Sequence, residues 1–485
     1  MSSARRKRLT DPRIPSTLRC GEDTAPHHRR FGSGRCYDKD QAQRNERNCR
    51  RDPEAGRTSG VCSLENPDMP PSPTLKMNLN QRRQFWEPLI QEGLQKVPTP
   101  FYVFSSSPVE LALAELKAVE TNLGIPVRHW LSFKTQPLRP LLGWWRDRGG
   151  GVEVVSEFEL RAALAEGFLP GQILVNGPAK HRWLHRHEIP ELRVNFDSAA
   201  EVRELLPMAL KLDWQLGLRF FTSEEFDPES PDWPTQFGFA PDEAVEILGV
   251  LRRAGARIET AHFHLRTNVA SPEVYSRAIR EIAGTCRKAG FTPKHLDCGG
   301  GLPPPGLRSR SGKAYDAEFS LEKFAESLHQ AIVEFPSLEE LWLENGRFVS
   351  ARSGVLVVRV LDVKERRGLR QLICDGGRTM NALLSIWEGH ELFAMPRRAG
   401  KQCLTTVYGP TCMAFDQLTR CNLPRSIEPG DHLVWMDAGA YHLPWETRFS
   451  HGLAAVLWHD GRHLSIAREP ETFDEWWGQW KREHS

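Results

Sequence analysis

The amino-acid sequence predicts an α/β fold, a (β/α)8 barrel followed by a C-terminal β domain. Eight short apolar runs alternate with helical patterns over about 240 residues, close to the typical barrel length of about 250. Unusual polar residues follow the ends of these runs, which is where a barrel builds its active site. Beyond Gly354 the alternation stops, and short strand patterns separated by turns follow.

The apolar runs are predicted to be the parallel strands of the barrel. They are Val127–Phe133, Val152–Val155, Ile173–Val175, Leu192–Phe196, Leu216–Phe221, Ile258–Leu265, His295–Cys298 and Leu341–Glu344. A serine with a glutamate three residues later predicts a capped helix start at Ser107, Ser156 and Ser198. A doubly wound sheet would give the same local alternation and is the structural alternative. The residues at the strand ends favour the barrel: Lys134, Ser156, Arg219, His264, Gly299 to Gly301 and Glu344.

The chain is expected to divide into four segments. Residues 106–354 form the barrel, and residues 78–105 are a lead-in whose strand joins the β domain. Residues 355–485 form the β domain, which ends in a Trp-rich helix. Its predicted strands are Val355–Val363, Leu369–Asp375, Leu404–Tyr408, His432–Met436 and Leu453–Trp458.

Residues 1–77 are expected to be a disordered basic tail. The first 75 residues hold 15 Lys/Arg and 10 Asp/Glu among few apolar residues, a composition typical of disorder. Met69 and Met77 lie just before the patterned region, so a start site assigned too far upstream is an alternative. A nucleic-acid-binding arm is another, and the mixed charges argue against it.

Composition excludes several classes of function. A formal net charge of +2 argues against a nucleic-acid partner. No stretch reaches the roughly 18 apolar residues of a membrane span, and the N-terminus lacks the apolar core of a signal peptide. A cytoplasmic location is therefore expected.

Two strand ends indicate pyridoxal phosphate. Lys134 offers an amine that forms a Schiff base once it is neutral, and Gly299 to Gly301 allow backbone N–H groups to approach a phosphate. Each feature has an ordinary alternative, a solvated charge and a plain turn. His262 and His264 form an HxH pair that could bind zinc, but no further His/Asp cluster stands at the other strand ends, so no metal is expected.

Seven motifs, read in order, resemble a known family. They are Ser-Phe-Lys134, Gly-Val-Glu-Val-Val-Ser156-Glu-Phe-Glu-Leu160, His262-Phe-His264, Asp297-Cys-Gly-Gly-Gly301, Glu344-Asn-Gly-Arg347, Gly409-Pro-Thr-Cys412 and Gly439-Ala-Tyr441. Together they are similar to the fold-type III pyridoxal-phosphate decarboxylases of ornithine, diaminopimelate and arginine. The resemblance covers roughly residues 85 to 465. It implies a barrel of alanine-racemase type with a β domain, in a homodimer whose active sites share residues.

The resemblance also implies roles for individual residues. Lys134 would hold the cofactor, His264 would stack on its ring, and Glu344 would face the pyridine nitrogen. Cys412, presented from the other subunit, would return a proton to the α-carbon. The remaining cofactor-binding residues implied are Thr267, Gly301, Gly346, Arg347 and Tyr441.

Departures from the family pattern bear on the substrate. Met413 stands where decarboxylases of diamino acids have an acid that helps hold the distal ammonium, and Asp375 keeps the other acidic position. Arg266 adds charge near the cofactor, and Glu153 replaces the usual aspartate. The expected activity is decarboxylation of an amino acid, free or bound to a carrier protein, that is not a plain diamino acid. A catalytically inactive regulatory homologue and a racemase or epimerase on the same fold are the alternatives.

Overall fold

A computed structural model describes residues 77–225, 235–383 and 387–480. Most of the predicted tail, residues 1–77, lies outside these ranges. The helices are α1 (Leu79–Lys96), α2 (Ser106–Leu123), α3 (Arg139–Arg146), α4 (Glu157–Ala165), α5 (Ala199–Lys211), α6 (Pro241–Arg253), α7 (Glu273–Ala289), α8 (Leu321–Ile332), α9 (Arg347–Ser350), α10 (His442–Trp445) and α11 (Phe473–Gly478). No helix within the described ranges has the length and apolar character needed to span a membrane.

The strands form a barrel, a large sheet and a two-stranded ribbon. They are β1 (Phe101–Ser105), β2 (Val127–Ser132), β3 (Gly151–Val154), β4 (Ile173–Val175), β5 (Arg193–Phe196), β6 (Gln215–Arg219), β7 (Ile258–His262), β8 (His295–Asp297), β9 (Arg308–Ser309), β10 (Glu340–Asn345), β11 (Gly354–Arg366), β12 (Leu369–Cys374), β13 (Glu388–Gly389), β14 (Leu392–Met395), β15 (Gln402–Tyr408), β16 (Gln417–Pro424), β17 (His432–Trp435), β18 (Ala455–His459) and β19 (Leu464–Arg468).

The predicted fold class is confirmed. Strands β2 to β8 and β10 close into a parallel barrel in which β10 pairs with both β2 and β8. Each predicted apolar run overlaps one of these strands, with ends that differ by a few residues. The doubly wound alternative is wrong, because such a sheet stays open whereas this one returns to its first strand.

One barrel unit differs from the expected strand-then-helix pattern. Between β4 and β5 the described chain has two 3-10 turns, Lys180–Arg182 and Leu184–Arg186, instead of an α-helix. The Lys180 side chain is fully buried here, with Nζ 2.7 Å from Glu201 Oε2 at the start of α5. This buried ion pair fixes the short connection to the next helix.

The large sheet has nine strands, and β11 lies at its centre. Strand β11 pairs with β1, β12 and β17, and β1 also runs parallel to β18. The lead-in segment therefore supplies an inner strand of this sheet. Strands β14, β16 and β19 were not predicted, because their alternation is weak beside stronger apolar runs.

The lead-in also contains helix α1, which the sequence prediction missed. Pro88 and the many polar residues of α1 hide its pattern. The helix forms because Asn78 and Gln81 make a capping box. It is then stabilised by Trp86 and Ile90, which are buried in the same apolar cluster as strand β1.

The predicted helix caps are partly right. Ser156 and Ser198 accept hydrogen bonds from the Glu159 and Glu201 N–H groups, as expected. The cap predicted at Ser107 is wrong, since β1 runs straight into α2 and Ser105, its last extended residue, caps the helix instead.

Candidate active site

One rim of the barrel gathers the predicted site residues. Lys134 lies in the turn that follows β2, His264 follows β7, and Gly299 to Gly301 follow β8. Glu344 lies near the end of β10, and Glu153 lies in β3. Because all eight strands are parallel, their carboxyl ends meet at this rim.

Lys134 is paired with a buried carboxylate. Its Nζ lies 2.5 Å from Glu153 Oε2, and the Glu153 side chain is only 2% exposed. Loss of water around Lys134 favours the neutral amine, but the negative charges of Glu153 and Glu344 outweigh this effect and raise the pKa of Lys134. The amine is therefore a cation, held beside the acid that can receive its proton.

Glu344 is the centre of a buried polar network. Its Oε1 accepts a hydrogen bond from Asn176 Nδ2 at 2.5 Å and lies 3.2 Å from His262 Nε2. Burial opposes the charged form, but His262 and His264 lower the pKa of Glu344 well below its usual range. Burial and the charge of Glu344 raise the pKa of Asp297. Of the two acids, Glu344 thus carries the charge.

His262, Asp297 and Glu344 also form a possible metal-binding group. Within the described ranges, their candidate ligand atoms all lie within 4.8 Å of one another. The acids, however, already accept hydrogen bonds from Asn176, Asn195 and the backbone N–H of Gly299. A cation would have to displace these donors, so the arrangement favours a network of buried acids over a metal centre.

The glycine turn packs closely against the rest of the rim. Gly299 and Gly301 have φ values of +63° and +99°, which favour glycine. A Cβ atom on Gly300 would lie 2.7 Å from the Glu344 carbonyl oxygen. The Gly300 N–H donates to His264 Nδ1 at 3.1 Å, so the turn also fixes the histidine ring.

A second polar cluster lies beside Gly346. A Cβ atom there would lie 2.7 Å from Thr135 Oγ1 and 3.4 Å from Tyr441 Oη. The Arg347 guanidinium lies 4.8 Å from the centre of the Tyr441 ring and forms an ion pair with Glu388. The Thr135 hydroxyl and Arg347 Nε are buried and have no hydrogen-bond partner within the described ranges.

A separate group of predicted residues, Asp375, Cys412 and Met413, lies on the loops of the β domain that follow β12 and β15. The Asp375 oxygens accept hydrogen bonds from Thr99 Oγ1 at 2.6 Å and from the Arg359 N–H at 2.7 Å. Cys412 is exposed, whereas Met413 is half-buried. The hydrogen bonds described for Lys134 and Glu344 do not reach this group.

Three further features belong to the site: one predicted residue and two pairs of residues that the sequence prediction overlooked. Thr267 is exposed in the loop after β7. Asn176 and Asn195 were overlooked, although each stands at a strand end and the rule that identified Lys134 could have found them. Glu388 and its partner His390, 2.7 Å apart, carry no such signal, since they lie far along the chain from Arg347.

Comparison with known proteins gives a consistent result. A family model described as "Pyridoxal-dependent decarboxylase, pyridoxal binding domain" matches residues 112–351. A diaminopimelate decarboxylase of Actinosynnema pretiosum is 29% identical over 336 residues, 64% of this chain and 72% of the relative. That of Zymomonas mobilis is 25% identical over 402 residues, 78% and 91% of the two chains.

A solved structure shares the fold. The crystal structure of diaminopimelate decarboxylase from Helicobacter pylori, complexed with L-lysine, has a TM-score of 0.69 and 22% identity. The match covers 81% of this chain and 99% of that one. The barrel and the sheet domain together are therefore an arrangement known from decarboxylases.

The residues of the rim fit the cofactor of this family. Lys134 supplies an amine with an acid beside it, and Glu344 is a charged carboxylate suited to a protonated ring nitrogen. Within the described ranges, Arg347 Nε and Thr135 Oγ1 are buried without a hydrogen-bond partner near the backbone of Gly346, as a phosphate site requires. The chain belongs to the fold-type III pyridoxal-phosphate-dependent decarboxylases, and its cofactor is pyridoxal phosphate.

Proposed function

We propose that this enzyme decarboxylates an α-amino acid whose far end is not a free ammonium group. The observation that supports the proposal is the position of Lys134 at the barrel rim. Its Nζ lies 2.5 Å from Glu153 Oε2, and the negative charge of Glu344 also raises its pKa. An amine with an adjacent proton acceptor and a separate charged acid are the two groups that pyridoxal-dependent decarboxylation needs from the protein.

Each rim residue has a proposed role. Lys134 holds the cofactor through Nζ, and Glu344 keeps the ring nitrogen protonated. His264, fixed by the Gly300 N–H, covers the ring. The phosphate is bound by the group Thr267, Gly301, Gly346, Arg347 and Tyr441.

Pyridoxal phosphate supplies an electron sink for the pair left behind when carbon dioxide departs. The protein must then return one proton to the α-carbon. We assign this step to Cys412: its S–H bond breaks, and a C–H bond forms at the α-carbon. The thiolate regains a proton from solvent, which the exposure of Cys412 permits.

The substrate proposal rests on the loops of the β domain. Met413 cannot pair with a distal ammonium, and an unpaired buried charge costs several kcal/mol. Both oxygens of Asp375 already accept hydrogen bonds from Thr99 and Arg359. We therefore propose an amino acid with a neutral or acylated far end, free or attached to a carrier protein, although the relatives are named for diaminopimelate.

The test is release of carbon dioxide from a panel of amino acids. The panel includes meso-diaminopimelate, L-ornithine, L-lysine, L-arginine, their far-end acylated forms and carrier-bound aminoacyl groups. We expect release that depends on Lys134 and is fastest with a substrate lacking a free distal ammonium. Racemisation without carbon dioxide, or no turnover of any member, would contradict the proposed reaction. If diaminopimelate is turned over fastest, the proposed class of substrate is wrong, and the proposed decarboxylation still stands.

We also propose a homodimer with shared sites, because Cys412 is exposed while Lys134 lies at the barrel rim. Mixing Lys134→Ala with Cys412→Ala should restore part of the activity, since some mixed dimers contain one intact site. No recovery after verified subunit exchange would refute sharing.

We further propose a cytoplasmic location, which cell fractionation with a cytoplasmic marker would test.

A further inference from the structure

A buried carboxylate, Asp416, joins the loop that follows β12 to the loop that follows β15. Asp416 is 1% exposed. Its Oδ2 accepts hydrogen bonds from Thr411 Oγ1 at 2.6 Å and from the Thr411 N–H at 3.0 Å. Its Oδ1 accepts one from the Arg378 N–H at 2.7 Å. We call these three residues the Asp416 clamp.

The clamp requires close approach of the two backbones. A Cβ atom on Gly377 would lie 2.7 Å from the Cα of Gly409, and one on Gly409 would lie 2.5 Å from Asp416 Oδ2. Real Cβ atoms do not come this close to other heavy atoms. Glycine on both sides is therefore needed for the loops to meet around the carboxylate.

The two loops carry residues already assigned to the substrate end. Strands β12 and β15 are parallel, with Ile373 opposite Tyr408, so the loops that follow them leave the sheet at one edge. One loop holds Asp375, and the other, residues 409–416, holds Cys412. Within that second loop the Asp416 N–H donates to the Met413 carbonyl at 2.9 Å.

We propose that Asp416 is a positioning residue that fixes Cys412 for proton delivery. The inference rests on the proposed role of Cys412. Cys412 is exposed and only one residue away from Thr411, so the hydrogen bonds of Thr411 set where the thiol can be. Proton transfer needs the donor within hydrogen-bond reach of the α-carbon, and a displacement of about 1 Å can cost 10²-fold.

The main test variant is Asp416→Asn, because the amide keeps the size but cannot accept from all three donors. The matched control is Asp431→Asn. Asp431 is 3% exposed and also accepts three hydrogen bonds, two from Arg398 and one from the Glu428 N–H, which belong to neither loop. Both variants should lose comparable stability, measured as the shift in thermal midpoint.

Two quantities are measured, kcat and the ratio of amine formed to carbon dioxide released. The probe is the amino acid of the panel that releases carbon dioxide fastest. Asp416→Asn should lower kcat by about tenfold to a hundredfold and lower the ratio of amine to carbon dioxide, while Kd for pyridoxal phosphate is unchanged. Asp431→Asn should leave kcat and this ratio unchanged. A similar loss in both variants would show that Asp416 has only a structural role.

A double-mutant cycle tests whether Asp416 acts through Cys412. The variant Asp416→Asn/Cys412→Ala should be no slower than Cys412→Ala alone, because the group that Asp416 positions is already absent. If the double variant instead shows the product of the two single-variant losses in kcat, the proposal is overturned. If Cys412→Ala itself turns over normally with the normal product ratio, the proton-donor assignment fails, whatever Asp416→Asn does.

A pair of milder substitutions at Thr411 tests the Asp416 clamp with a smaller change to the fold. Thr411→Val removes one donor to Asp416, whereas Thr411→Ser keeps it. Without substrate, the rate at which iodoacetamide alkylates Cys412, followed by peptide mass spectrometry, should change at least about threefold in Thr411→Val and stay unchanged in Thr411→Ser. Equal rates in both variants and in the wild type would refute the clamp.

Discussion

The two ends of the barrel use buried polar residues in opposite ways. At the amino end, Trp130 and Trp342 are buried with ring centres 5.2 Å apart, and His295 stacks on Trp342 at 4.5 Å. The Arg193 guanidinium covers Trp342 at 5.3 Å. This end is closed by packed rings and by a cation that lies over them. At the carboxyl end, charged side chains converge around Glu344, and no described residue bonds to the buried Arg347 Nε or Thr135 Oγ1.

A cavity near the amino end sharpens the contrast. It has a volume of about 420 Å³ and is lined by residues that include Arg128, Trp144 and Arg148. Arg128 is paired with Glu340 at 3.0 Å, and Arg148 with Glu110 at 3.0 Å. Its cations are therefore already neutralised. The comparison teaches that convergent buried charges mark the site better than volume does.

The largest expected effect is at the carboxyl end. Lys134→Ala should lower kcat/KM by at least about 10⁴-fold, because it removes the group that holds the cofactor. The measurement is carbon dioxide release, together with borohydride labelling followed by peptide mapping. The thermal midpoint without cofactor should fall as well, because the buried Glu153 carboxylate loses its partner. Labelling at another lysine with unaltered activity would refute the assignment of the rim.

The amino end should affect stability instead. Trp342→Ala should lower the free energy of unfolding by about 3–5 kcal/mol, because it leaves a cavity under His295 and Arg193. Urea unfolding followed by circular dichroism measures this change. The Kd of the folded variant for pyridoxal phosphate should match the wild type. A large loss of cofactor affinity per folded molecule would show that the two ends are not independent.

A smaller effect tests whether the rim alone sets specificity. Met413→Asp should raise kcat/KM for L-ornithine relative to the best substrate by about tenfold, since it supplies a carboxylate for the distal ammonium. The ratio cancels general damage. Met413→Asn is the matched control and should not raise the ratio. Efficient wild-type turnover of ornithine would contradict the substrate proposal and leave the fold and cofactor untouched.

The smallest effect is a shift in pH dependence. Glu153 raises the pKa of Lys134, so fewer Lys134 amines are neutral at a given pH. Glu153→Gln removes that charge and lowers the pKa, so cofactor attachment to the cofactor-free enzyme should begin at lower pH. The appearance of absorbance from bound pyridoxal phosphate, followed across pH, measures this. An unchanged profile would mean that Glu344 alone holds the proton on Lys134.

Much of the rim could be predicted because the rule that places it is local. In a parallel barrel, a residue just after a strand lies at the carboxyl rim whatever the distant sequence is. Lys134, His264, Gly301 and Glu344 could be placed from the strand pattern alone, although their roles came from the family resemblance. Helix α1 shows the limit of such local rules. Its capping box is visible in the sequence, but its apolar pattern is poor, and the helix is stabilised by tertiary burial of Trp86.

By itself the sequence determined the barrel, the β domain and which side chains stand at the strand ends, because the period of apolar residues and chain connectivity are properties of short segments. Only the tertiary structure decided which distant residues meet. The pairing of Arg347 with Glu388 and the contact of Asp416 with Arg378 depend on strand order and register in sheets that close across long stretches of chain. A hydrogen bond needs its two groups within about 3 Å, and no local pattern specifies that distance.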